Sequence, residues 1–135
     1  MFGIFSKNRG WSRFVPSRGP NVPVATADYT TAGDLTITVA QMRAGVLTRD
    51  PNGAARTDTT PTAALIEAEF PGLQVNDYYC MFYINTADAA EAVTLAGGTG
   101  VTFSNVGQTI GQNEAALLLF RKTATAAFTV YIIGA

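Results

Sequence analysis

The chain has 135 residues, only 14% of them charged, and a formal net charge of −1. That length is one domain, with a core large enough to fold without disulfide or metal staples. It holds no histidine and a single cysteine, Cys80, which removes Ser-His-Asp and Cys-His nucleophilic sites, histidine-based or thiolate zinc sites within the chain, and an internal disulfide.

No apolar run approaches the roughly 18 residues of a membrane-spanning helix. The start MFGIF breaks at Ser6-Lys7 before a signal-peptide core can form, so the expected place of assembly is a cytoplasm. The sparse charge fits a surface partly covered by other subunits. The charge is also split. Residues 1–23 carry +4 and no acid, whereas residues 24–135 carry −5.

Residues 1–33 form the first zone. Pro16, Pro20 and Pro23, with Gly3, Gly10 and Gly19, exclude a long helix and a central strand. An extended arm is expected, and 20 such residues span up to about 65 Å. Phe5, Lys7, Arg9, Trp11, Arg13, Phe14 and Arg18 are its candidate docking residues. Aromatic side chains of this kind fill pockets on a partner while arginines pair with surrounding acids. A disordered tail, a weak and salt-sensitive nucleic-acid contact and a membrane-surface contact are the other readings of the same residues; nucleic acid and membrane are the less favoured partners.

The second zone, residues 34–135, is expected to be the folded domain. DLTITV alternates from Asp34 as a half-buried strand does. A short helix over 40–44 stops at Gly45, and Val46-Leu47-Thr48 resumes an extended course. DPNGAA (50–55) has dense turn chemistry. TTPTAALIEAEFPG (59–72) predicts the best helix, with Thr60 as cap, Pro61 in first position, Pro71-Gly72 as stop, and Leu65, Ala68, Ile66 and Phe70 on its buried side.

The rest reads as β. DYYCMFYINT (77–86) is apolar on both faces, so it is either central or facing another subunit. Tyr79, Met81 and Tyr83 are the candidate oligomer interface. AVTLAGGTGVTF (92–103) predicts two strands joined as a hairpin by a Gly-rich turn. VGQTIGQN (106–113) predicts a strand or loop, and AALLLFRKT with AAFTVYIIGA a closing hairpin. The fold class is therefore mainly β. The expectation is an antiparallel β-sandwich or jelly-roll-like barrel with one or two short helices.

No constellation of catalytic residues emerges. Cys80 lies mid-strand and reads as a buried apolar residue. Glu67 and Glu69 are two apart on a helix and diverge. Asp77, Asp88 and Glu91 flank a strand and read as solvated loop edges. Asp50, Asn52 and Asp58 fall in one loop, but Ala54, Ala55 and Arg56 interrupt the oxygen spacing of a calcium loop. AGGTG (96–100) lacks the Lys-Ser/Thr and following helix of a phosphate loop. Neither a cofactor nor enzymatic activity is expected.

Three stretches carry a family resemblance. TITVAQMRAGVLTRDPNGAARTDTTPTAALIEAEFPG, and then INTADAAEAVTLAGGTGVTF with IGQNEAALLLFRKTATAAFTVYIIGA, resemble small structural proteins of tailed bacteriophages. The shared pattern is a Leu/Met-rich turn, a TRDP segment, a Thr/Pro-capped helix and a GGTGVT turn before the last strands. It covers residues 35–135. The resemblance implies a virion protein of the capsid cement or decoration type. Such a protein is a β-sandwich or jelly roll, often a trimer, on the capsid surface, with the major capsid protein and other virion proteins as partners. A tail or fibre component, with the arm as attachment peptide, is the alternative.

Overall fold

The computed structural model describes residues 26–105 and 109–134. The candidate docking residues Phe5, Lys7, Arg9, Trp11, Arg13, Phe14 and Arg18 lie outside the described residues. The described chain is mainly β. Strands β1 (Thr26–Thr30), β2 (Val46–Asp50), β4 (Tyr78–Asn85), β8 (Ala115–Ala124), β9 (Ala127–Ile133) and β6 (Val101–Phe103) form one sheet, with spatial order β1-β2-β4-β8-β9-β6. Strands β3 (Arg56–Thr59), β5 (Val93–Ala96) and β7 (Thr109–Ile110) form a smaller sheet in the order β3-β5-β7. Helices α1 (Val39–Ala44) and α2 (Ala63–Glu69) complete the set.

Both sheets are mixed, which corrects the expected antiparallel arrangement. β1 pairs with β2, β2 with β4, β6 with β9 and β3 with β5 in parallel, whereas β4-β8, β8-β9 and β5-β7 are antiparallel. Parallel neighbours need long crossovers, usually carrying a helix. The chain supplies them by placing α1 between β1 and β2, and β3 with α2 between β2 and β4. β1 also lies inside the zone read as arm. Its sequence, TADYT, is too short and polar to show an alternation, and its partner β2 is reached only by a long connection.

The helices are set by their caps. Thr38 and Gln41 make a reciprocal capping box at the start of α1, and Gly45 ends it in the left-handed region at φ 87°, a conformation glycine adopts without steric cost. Before it, Leu35 and Ile37 are buried and Thr36 and Thr38 exposed, as the alternation predicts. This segment pairs through single hydrogen bonds with Thr59 (Ile37 N to Thr59 O, Thr59 N to Leu35 O, both 2.8 Å) and forms an isolated bridge there in place of a full strand.

α2 is capped by Thr62, whose hydroxyl accepts from Leu65 N. It buries Ala63 and Ile66, while Leu65 is 55% exposed and Ala68 is exposed as well. Of the expected inward set, Ile66 is buried and Phe70 packs beside the core, whereas Leu65 and Ala68 are corrected to exposed positions and Ala63 is buried instead.

Thr60 is used elsewhere. Its buried hydroxyl donates to Pro61 O and accepts from Gly98 N. That contact belongs to the Gly-rich turn, which is not a hairpin: β5 enters the small sheet and β6 the large one. Residues 97–100 therefore carry the chain from one sheet to the other. A Cβ on Gly98 would lie 2.6 Å from Thr60 O, and one on Gly100, at φ 80°, 2.6 Å from Ala126 O. Backbone passes too close for any side chain.

β8 and β9 do form the closing hairpin, with Ala124 opposite Ala127 and Ala126 at φ 49°. One core joins everything. It holds Leu47, Tyr79, Met81, Tyr83, Leu118, Phe120, Phe128 and Val130 from the large sheet and Val93, Leu95 and Ile110 from the small one, with Ile37, Met42, Ala63 and Ile66 beside them.

Candidate interaction surface

Side chains of a strand alternate between faces, so β4 has to send its two apolar sets in opposite directions. The structure sends Tyr79, Met81 and Tyr83 inward. All three are buried in the core of the chain itself, Tyr83 with 0% exposure. The expected oligomer interface at Tyr79, Met81 and Tyr83 is corrected accordingly, because side chains already enclosed by their own domain have no surface to offer a partner.

Polar atoms fix this choice. Tyr83 Oη donates to Asp58 Oδ2 at 2.6 Å and Tyr79 Oη to Met42 O at 2.6 Å, and a buried hydroxyl needs such a partner. Burial raises both phenol pKa values. That of Tyr79 goes to about 12, against a smaller opposing effect of the Arg43 charge. For Tyr83, burial and then the Asp58 carboxylate push it well above its ordinary range.

The opposite face of the large sheet is then the outer one. Phe82 and Ile133 are each 51% exposed and Tyr78 37%. Register brings these residues together. Val46, Phe82, Leu117 and Ile133 stand side by side in one row across β2, β4, β8 and β9, and Cys80, Leu119 and Tyr131 form the next. Thr48, Ile84 and Ala115 continue the patch on one side. On the other, Arg121 lies between Tyr78 and Thr129 and donates to Asn76 Oδ1 and Tyr131 Oη. A contiguous apolar patch with one cation at its margin is the kind of surface that marks a protein contact.

The residues of β4 signal that the strand is apolar on both sides. They carry no signal for which side is enclosed, because the enclosing Asp58 comes from another sheet. Phe82 and Ile133 are therefore not singled out by sequence reasoning, although the two-sided pattern of AALLLF in β8 marks the same face.

Next to this surface the chain enters the sheet through β1, and a buried ionic cluster holds the entrance. Arg49 and Asp58 are both fully enclosed and pair at 2.8 Å, Nε to Oδ2. Arg49 further donates to Thr31 O, Gly33 O and Asp50 O, and its guanidinium lies 5.2 Å from the centroid of the Tyr29 ring. Asp58 Oδ1 accepts from Leu35 N. Arg49 comes from β2, Asp58 from β3 and Tyr83 from β4. The cluster thus fastens both sheets to the segment that follows β1. A buried pair is tolerable when its remaining donors and acceptors are satisfied, as here.

Other candidates have structural roles. Cys80 is half-buried on the outer face and burial raises its thiol pKa, which lowers its reactivity. Glu67 is held below its ordinary range by the Lys122 ammonium and the Ala126 N–H. With Lys122 it ties α2 to the β8–β9 hairpin. Glu69 instead pairs with Arg43, so the two glutamates diverge.

Among the described residues, no helix is long and apolar enough to cross a membrane. No protein-family model, curated protein or solved structure matches the chain.

Proposed function

We propose that this protein is a virion structural subunit of the capsid cement or decoration type, which works by binding. The observation that carries this reading is the outer face of the large sheet, where Phe82 and Ile133 are half exposed in one continuous apolar row. In this reading the domain is a two-sheet, sandwich-like body that associates as a homo-oligomer, a trimer, through that face. The basic, aromatic residues 1–23, with Phe5, Lys7, Arg9, Trp11, Arg13, Phe14 and Arg18, dock on the major capsid protein at the capsid surface. Assembly takes place in the host cytoplasm.

The resemblance over residues 35–135 and the charge split between arm and body support the proposal. Each copy bridges neighbouring shell subunits, and modest contact energies multiply through avidity. Deleting residues 2–20 tests the arm. The truncated chain should keep its fold and oligomeric state and lose its hold on heads. Full decoration by the truncated chain would refute the arm's role, and a copy number of only a few per virion would favour a tail or fibre component.

A further inference from the structure

The end of β2 and the loop after β4 bring three carboxylates together. One oxygen each from Asp50, Asp88 and Glu91 lies within 4.8 Å of the others. Sequence spacing groups Asp88 and Glu91 with Asp77. The parallel pairing of β2 with β4 replaces Asp77 by Asp50, since both strands end on the same side of the sheet.

The three carboxylates are not equivalent. Asp88 is exposed, Asp50 is half-buried, and Glu91 is only 7% exposed. Glu91 Oε1 accepts from Gly53 N at 2.7 Å. Its Oε2 is buried and accepts from no described protein group. The cluster distance holds for one oxygen of the Glu91 carboxylate, and the unpartnered Oε2 is bonded to the same carbon. An orphaned carboxylate oxygen is costly to bury. None of the ion pairs among the described residues includes Asp50, Asp88 or Glu91.

The backbone around Glu91 is fixed. Asn85, fully buried, donates from Nδ2 to Glu91 O at 2.7 Å and to Ile110 O at 3.0 Å. Asn52 and Gly53 at φ 52° and 99° aim the Gly53 N–H at Glu91.

We propose that Asp50, Asp88 and Glu91 bind a hard divalent cation, and that the ion is Ca2+. All the donors are oxygen, which excludes softer metals by preference. They come from a strand end and a separate loop with no octahedral template, which suits Ca2+ with its flexible shell better than Mg2+. The ion gives the Glu91 carboxylate its missing partner and clips the end of β2 to the β4–β5 loop. The calcium site stands apart from the proposed role in capsids.

Calorimetric titration of CaCl2 into the full chain, with thermal unfolding followed in CaCl2 and in EDTA, tests it. One ion per chain is expected, with a dissociation constant of about 10⁻⁴–10⁻³ M, the range of extracellular calcium modules. The midpoint of unfolding should rise with Ca2+ concentration. Asp88→Asn, at an exposed position, should bind at least about tenfold more weakly with an unchanged midpoint in EDTA. Glu91→Gln should lose binding to a similar or larger degree; if it does not fold, Asp88→Asn decides alone. Absence of both heat and midpoint shift in the parent chain, wild-type affinity in Asp88→Asn, or tighter binding of Mg2+ than of Ca2+ would overturn the proposal.

Discussion

The two faces of β4 differ little in composition and completely in fate. One presents Tyr79, Met81, Tyr83 and Asn85, the other Tyr78, Cys80, Phe82 and Ile84. The first is enclosed by the small sheet and the helices, whereas the other points outward with Phe82 half exposed. Hydrophobicity alone does not separate them. The difference lies in the polar atoms that each side brings to its neighbours. Asp58 is at hand for Tyr83, the end of α1 for Tyr79, and the β4–β5 loop for Asn85. A strand that is apolar on both faces is thus oriented by where its few hydroxyls and amides find partners.

The inner face is most vulnerable at Asp58. Asp58→Ala leaves the Arg49 charge enclosed and removes the acceptor of Tyr83. Removing one member of a buried pair costs about 3–5 kcal/mol, so urea denaturation should show a chain near the limit of folding. Met81→Ala opens the core on the same inner face and should cost about 2–5 kcal/mol. An effect of Met81→Ala no larger than that of an outer-face truncation would show that the inner face has been misidentified.

Alkali provides a gentler probe. The phenols of Tyr79 and Tyr83 have raised pKa values in the folded chain. Their neutral forms are favoured by folding, so the associated stability is complete below the ordinary tyrosine value of 10 and declines as pH rises from there through about 12. Denaturation midpoints should fall across that window. In Tyr79→Phe the fall should be shallower. The smallest effect on folding is expected at Phe82→Ser, at about 0.5 kcal/mol or less, read from the same denaturation curves.

Much of this architecture is legible in the residues. The alternation of Leu35 and Ile37, the stop at Gly45, the long β4 and the last hairpin follow from local pattern, because each is decided by neighbours in sequence. What escapes is set by distant partners. β1 becomes a strand only because β2 offers it an edge. Thr60 leaves the helix cap to Thr62 because Gly98 needs an acceptor. The Gly-rich turn changes sheets because β9 is free to receive β6 in parallel. Of the candidate surface, the residues show that β4 is apolar on both faces, and the choice between the faces awaits Asp58 from across the core.

If the outer face joins copies of the chain, two charges placed there should separate them. Sedimentation equilibrium of the parent chain beside a Phe82→Glu/Ile133→Glu variant reads this, with thermal unfolding as the check on folding. The parent should sediment as a trimer and the variant as a folded monomer. A parent that remains monomeric at every concentration, or a folded variant that sediments with the parent's mass, would contradict association through this face.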